Sequence, residues 1–129
     1  MTGRRPPVVQ PVTFAPVLAS IPLARNFVLE RLSGTAVDHD VALLLTSELV
    51  TNAIRHARTS FAVEVGPTDD GRVQVSVSDA SPEMPRPMDA PPEAQSGRGL
   101  FFVDRYATAW GIDPTADGKR VWFALPCDD

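Results

Sequence analysis

Three polar side chains recur at one-turn spacing inside a long helical pattern. Glu48, Asn52 and His56 occupy positions i, i+4 and i+8, which places them on one arc of an α-helix. The same arc carries apolar residues, so we expect it to face the core: Val41, Leu44, Leu45 and Leu49. Burying a carboxylate or an amide is costly unless hydrogen-bond partners are present. The spacing therefore indicates that something polar meets this face.

Two interpretations of this polar ladder compete. A single Glu or Asn on an apolar arc is most often a satisfied polar group at the rim of a core. Three in succession, with a glycine-rich segment further along, favour a ligand site. Mg²⁺ takes oxygen ligands and usually keeps several waters, so Asn52 could be one ligand while Glu48 orients or deprotonates a nucleophile. A metal-nucleotide site is the hypothesis that this pattern favours.

Two further segments carry groups suited to such a site. Asp79 follows the alternating stretch at 73–77, where it either caps a turn or serves as a hydrogen-bond acceptor. Gly97, Arg98, Gly99 and Leu100 precede an apolar helical pattern. Backbone N–H groups at a helix N-terminus bind anions, and glycines let a ligand approach the backbone closely. We therefore expect phosphate to lie at this segment.

Composition limits the functional classes. The chain has 129 residues, 43% of them hydrophobic, and a net charge of −4, which predicts one folded domain and gives no electrostatic case for nucleic acid or an anionic membrane. Its single cysteine, Cys127, provides neither an intrachain disulfide nor a cysteine zinc site. We expect no targeting or membrane-spanning segment and a location in the reducing cytoplasm.

The pattern of the first half predicts an arm, one strand and two helices. Residues 1–10 are expected to be a flexible arm, and 11–127 a single domain. A strand at 12–17 is expected at a sheet edge because prolines flank it. Ser20 is predicted to cap a helix that Gly34 ends, and Thr35 with Asp38 to start a second helix reaching about Arg58.

The second half predicts two strand pairs and one helix. Residues 61–65 and 73–77 alternate apolar and polar residues around a turn at 68–71, which is typical of a β-hairpin. Residues 80–96 hold five prolines and are predicted to be a mobile lid. A helix from Gly97 to about Tyr106 precedes strands at 109–112 and 121–125. The predicted fold is α+β, a two-layer sandwich with a mostly antiparallel sheet and helices on one face.

The ladder, the strand-end Asp79 and the Gly97–Leu100 segment together resemble three sequence boxes of one superfamily. These boxes belong to the ATPase domains of the gyrase, chaperone and histidine-kinase type, which share the Bergerat ATP-binding fold. The chain is most similar to the small bacterial anti-sigma-factor serine kinases, over residues 12–126. Trp110-Gly111 and the segment 121–123 also fit that branch.

The resemblance implies a role for each site residue. Glu48 matches the general base, Asn52 the Mg²⁺ ligand, and Asp79 the carboxylate that accepts a hydrogen bond from the adenine amino group. His56 is given a supporting role beside the nucleotide. The four residues of the phosphate-covering segment are Gly97, Arg98, Gly99 and Leu100. The sequence departs from the superfamily at 80–82, where Ala-Ser-Pro replaces glycines, and at Arg120, where a Thr often stands.

The resemblance implies an ATP-dependent serine/threonine protein kinase. It would use ATP and Mg²⁺, phosphorylate an anti-anti-sigma protein and bind a sigma factor. A homodimer is also possible on this interpretation. The alternative is a non-catalytic module of the same fold that binds partners according to its nucleotide state. A scaffold without nucleotide is disfavoured, because Glu48, Asn52 and Asp79 are all present.

Overall fold

Alternating valines build the centre of an antiparallel sheet. The strands are β1 (Val12–Phe14), β2 (Phe61–Pro67), β3 (Val73–Asp79), β4 (Ala109–Pro114) and β5 (Lys119–Leu125), in the order β1-β2-β3-β5-β4. Val63, Val65, Val75 and Val77 are almost fully buried. β-Branched side chains pack well on a pleated surface. Side chains two residues apart on a strand point to the same face of the sheet, so all four valines face the same side. This inner face forms one layer of the core.

Three helices cover the inner face. They are α1 (Ser20–Leu32), α2 (His39–Asn52) and α3 (Gln95–Tyr106), with a π-helical turn (Ala53–Ala57) directly after α2. α2 packs against both α1 and α3 and also contacts β3 and β5. The predicted α+β sandwich with an antiparallel sheet is therefore confirmed.

These elements belong to a computed structural model that describes residues 10–81 and 95–127, with the side chains of 95–99 not described. Nearly all of the predicted arm and most of the predicted lid, residues 82–94, lie outside the described residues. Gln95 and Ser96, which were assigned to the lid, belong to α3. Within the described part of the chain, no helix is both long and apolar enough to cross a membrane.

Strand lengths differ from the expectation in a systematic way. β1 ends at Phe14 instead of residue 17, and it is an edge strand as predicted. β2, β4 and β5 each extend two residues beyond the predicted segments, and β3 continues past the alternating stretch to Asp79, the predicted strand end. Cross-strand hydrogen bonds continue through polar residues that break the apolar alternation, so hydropathy marks the centre of a strand better than its end.

α1 and α2 both begin at other residues than the sequence predicts. Ser20 is not the cap of α1 but its first residue, and its hydroxyl donates to the carbonyl of Ala15 at 2.8 Å. α2 does not begin at Thr35. Its cap is Asp38, whose carboxylate accepts a hydrogen bond from the Val41 N–H at 3.1 Å. A carboxylate in that position satisfies a free N–H at the helix start.

The first two helices end in left-handed residues. Gly34 has φ 82° just past α1, as a C-terminal glycine requires. Arg58, with φ 58°, follows the π-helical turn, and its N–H donates to the carbonyl of Ala53 at 3.1 Å. The predicted helix end near Arg58 is therefore confirmed, although its last turn is wider than an α-helix.

Candidate nucleotide site

Asn52 lies at the point where α2 becomes the π-helical turn. It is the last residue of α2 and is buried, with only 8% of its surface exposed. Glu48, one turn earlier on the same side, is half-buried. Single π-turns inside helices often occur at functional sites. The structure therefore confirms the buried position predicted for the centre of the ladder.

His56 departs from the predicted arc. The expectation placed it below Asn52 on a regular α-helix, but the chain there forms a π-helical turn with i to i+5 hydrogen bonds. The wider turn rotates the later side chains out of register, and His56 is exposed. The prediction that His56 faces the core is wrong. Its supporting role at the nucleotide stays a prediction.

Asp79 ends β3 on the inner face of the sheet and is buried, with 8% exposure. It pairs with Phe61 on β2, and residues 58–60 alone join Phe61 to the π-helical turn. That turn also contacts β3. The end of α2, with Asn52, and the end of β3, with Asp79, therefore meet at one edge of the molecule.

Lys119 is the functional candidate that the sequence analysis missed. It opens β5 opposite Asp79, and its Nζ lies 3.0 Å from Oδ1 of that carboxylate. The side chains of Lys119 and Asp79 are 3% and 2% exposed. Buried charges are normally paired, and here each provides the counter-charge of the other. Alternation along β5 could have identified Lys119, because it shares a face with Val121 and Phe123.

Arg120 lies on the other face of β5. Its guanidinium donates to the carboxylate of Asp113 at 3.3 Å, and Trp122 Nε1 donates to the same oxygen at 3.1 Å. Arg120, which stands where a threonine was expected, therefore belongs to the outer face of the sheet. The neighbouring Lys119 lies on the inner face, beside Asp79.

Two contacts fix the backbone that carries Asp79. The N–H of Ala80 donates to Oγ1 of Thr59 at 3.1 Å. On the opposite side, a Cβ at Gly118 would overlap the carbonyl oxygen of Asp79. The absence of a side chain at Gly118 therefore lets the two segments pack. Gly118 thus supports the position of Asp79.

The predicted phosphate segment lies inside α3. Gly97, Arg98 and Gly99 fall in the first turns of the helix, which begins at Gln95. Leu100 is fully buried in the core, so its side chain anchors the start of α3, and a contact of its backbone with phosphate stays a prediction. The proximity of this segment to Asn52 or Asp79 stays a prediction.

A divalent cation fits the site only as part of a metal-nucleotide complex. Among residues 10–81 and 95–127, no three His, Cys, Asp or Glu side chains are placed to hold a metal ion. The amide oxygen of Asn52 is an acceptable Mg²⁺ ligand, and Mg²⁺ commonly binds through one protein group together with waters and phosphates. The donor set therefore fits a cation that arrives with ATP.

The fold is an α+β domain in which helices cover one face of an antiparallel sheet. A buried amide and a buried carboxylate lie where the two layers meet at one edge, and they form a polar site there. The sequence matches the family of histidine kinase-like ATPase domains over residues 14–125. No curated protein sequence matches this chain at a significant level. Because the family match spans most of the chain, the protein belongs to the histidine kinase-like ATPase domain family. Membership indicates that it binds ATP.

Proposed function

We propose that the protein is an ATP-dependent serine/threonine protein kinase of the anti-sigma-factor type. It phosphorylates a serine on an anti-anti-sigma partner and binds a sigma factor. The observation that carries the nucleotide part is the burial of Asn52 and Asp79 at adjoining ends of α2 and β3. The partner assignment rests on the sequence resemblance to anti-sigma-factor kinases.

The chain's own residues have distinct tasks in this reaction. Oδ2 of Asp79 would accept a hydrogen bond from the adenine amino group, and the Asn52 amide would hold the cation. Mg²⁺, when bound with ATP, neutralises charge on the phosphates. Glu48 accepts the proton of the substrate serine as its oxygen bonds to the γ-phosphorus. The bond from that phosphorus to the bridging oxygen breaks, and ADP leaves.

The experiment that tests the kinase is phosphate transfer from Mg-ATP to a candidate anti-anti-sigma protein, comparing wild type with Glu48→Gln. The glutamine keeps nearly the same shape but cannot accept a proton. General-base catalysis is worth about 10² to 10⁴-fold in rate, so phosphoserine formation should fall by that factor while ATP affinity changes little. Transfer by the variant at the wild-type rate would refute the role of Glu48.

The second candidate function is a nucleotide-dependent binding module without catalysis. Both functions use the same proposed nucleotide site at Asn52 and Asp79, so ATP binding alone does not distinguish them. A wild type that binds ATP and captures a sigma factor, yet transfers no phosphate, would favour the module.

A further inference from the structure

The buried ion pair at the end of β3 has unused hydrogen-bonding capacity. Lys119 Nζ donates to Asp79 Oδ1 at 3.0 Å and to the carbonyl of Ser81 at 3.4 Å. An ammonium group carries three protons, and no described residue accepts the third. A buried donor without a partner is costly. The third proton therefore needs an acceptor that is not among the described residues.

Asp79 has a matching free acceptor. Oδ1 receives the hydrogen bond from Lys119 and a second from the Ser81 N–H at 2.9 Å. Among the described residues, none donates to Oδ2. The pair thus leaves one carboxylate oxygen and one ammonium proton without a partner among the described residues, on the inner face of the sheet.

This combination complements the edge of adenine. The base carries an amino donor at C6 beside an acceptor, the ring nitrogen N1. We propose that Lys119 determines base specificity by donating its third proton to N1 of adenine, while Asp79 Oδ2 accepts from the amino group. The inference rests on the ATP site proposed above. A base with a carbonyl at C6, in the same orientation, would turn an acceptor toward the carboxylate and a donor toward the ammonium.

The role differs from that of a purely structural ion pair. A structural pair needs only mutual neutralisation, and its loss would weaken binding of every purine nucleotide equally. A lysine that contacts N1 must instead distinguish nucleotides that differ at N1 alone. The ratio of two affinities, and not one affinity, therefore separates the two roles.

The test compares ATP with 1-deaza-ATP, in which carbon replaces N1. Calorimetry on the wild type, with Mg²⁺, should show about 10 to 100-fold weaker binding of the analogue, because a hydrogen bond to a charged group is lost. In Lys119→Met that ratio should fall close to one. Arg120→Met is the matched control: it removes the adjacent cation on the outer face and should keep the wild-type ratio.

Stability could complicate the Lys119→Met measurement, because it leaves Asp79 buried without its partner. The double variant Asp79→Asn with Lys119→Met removes both charges, and its affinity ratio should also be close to one. Lys119 is the single lysine of the chain. Lysine labelled with ¹⁵N at Nζ therefore gives one side-chain NMR signal in the wild type, which should shift with ATP and much less with 1-deaza-ATP.

The outcomes separate this inference from the proposed function. A wild type that binds ATP and 1-deaza-ATP equally overturns the contact to N1 and leaves ATP binding intact. A ratio that persists in the Lys119 variants, or a lysine signal that shifts equally with both nucleotides, overturns it as well. A wild type that binds neither nucleotide contradicts the ATP site itself.

Discussion

Two aspartates of this protein each pair with one basic residue, in opposite surroundings. Asp70 and Arg72 stand two residues apart in the β2–β3 turn, with side chains 53% and 32% exposed. Asp79 and Lys119 are 40 residues apart in sequence and almost completely buried at the ends of β3 and β5. The first pair is a local feature of a turn. The second exists only when the sheet has formed.

The contrast favours the buried pair as the candidate for a functional role. An exposed pair gains little, because water and salt screen it. A buried pair must offset the desolvation of both ions, and apolar residues of similar volume are often as stable. A buried pair at the end of a strand is therefore weak support for stability and stronger support for a site. Asp79 and Lys119 fit this second description, because Asn52 lies at the same edge.

The largest expected effect comes from breaking the buried pair. Asp79→Ala leaves Lys119 charged and unpaired in the interior, which should lower the free energy of unfolding by about 3–5 kcal/mol. Urea denaturation measures it, and Asp70→Ala is the matched control on the exposed pair. If both variants unfold at the same urea concentration, the contrast between the two pairs is wrong.

A smaller effect should follow when the backbone of Asp79 is displaced while its carboxylate and Lys119 are kept. Gly118→Ala places a methyl group against the Asp79 carbonyl, and overpacking of this kind typically costs about 1–3 kcal/mol. The displaced carboxylate should also weaken ATP binding. Gly66→Ala is the control, since a Cβ there meets nothing within 4 Å. Equal melting temperatures for the two variants would show that Gly118 has no positioning role.

The polar ladder also contains a buried residue, Asn52, and an exposed one, His56. Asn52→Ala should weaken Mg²⁺-dependent ATP binding by at least about tenfold, since even groups that only orient a metal ligand are worth that much. His56→Ala, at an exposed position, should change it less. Calorimetry with Mg²⁺ and with a chelator separates the metal-dependent part. A larger loss of ATP affinity in His56→Ala than in Asn52→Ala would show that His56 contacts the nucleotide or its metal.

The smallest effect belongs to the exposed pair and appears in acid. The hydrogen bonds from Arg72 and then from Thr68 hold the pKa of Asp70 below its usual range, and the Asp70 carboxylate raises the pKa of Arg72. Because the folded pKa is depressed, the pair stabilises the turn above the ordinary aspartate pKa of about 3.9. That contribution is lost as the pH falls through the lower value.

An NMR titration of the Asp70 carboxyl measures this directly. Its midpoint should lie below that of a free aspartate and move upward in high salt, because an exposed pair is screened. Arg72→Gln should bring the midpoint close to the ordinary value. An unchanged midpoint in that variant would show that Arg72 is not the cause.

The parts of the fold that follow from simple periodicity could be predicted from the sequence. Alternation identified the hairpin of β2 and β3 and the strand pair of β4 and β5, and the position of Asn52 followed from helical spacing. The ends of β2 and β4 and the start of β5 could not be placed, because pairing continues through polar residues such as Asp113 and Lys119. The start of α2 was misplaced because Thr35 and Asp38 are both good caps, and the Thr35 hydroxyl instead donates to the carbonyl of Leu32 at 2.7 Å.

The errors at the site have two physical causes. His56 was misplaced because a fixed angle per residue cannot anticipate a π-helical turn, whose extra residue depends on packing against the sheet. Lys119 was missed because the resemblance concerns the neighbouring Arg120, which stands where a threonine is expected. The alternation with Val121 and Phe123 assigns Lys119 to the inner face, but its partner becomes visible only with the register between β3 and β5.

Calorimetric titration of the purified chain with ATP and Mg²⁺ measures whether the buried groups at the ends of α2 and β3 hold an adenine nucleotide. We expect saturable binding of ATP, weakened in Asn52→Ala, and loss of the preference for adenine over guanine nucleotides in Asp79→Ala. No binding to the wild type at millimolar ATP, with the metal present, would rule out an adenine nucleotide at these groups.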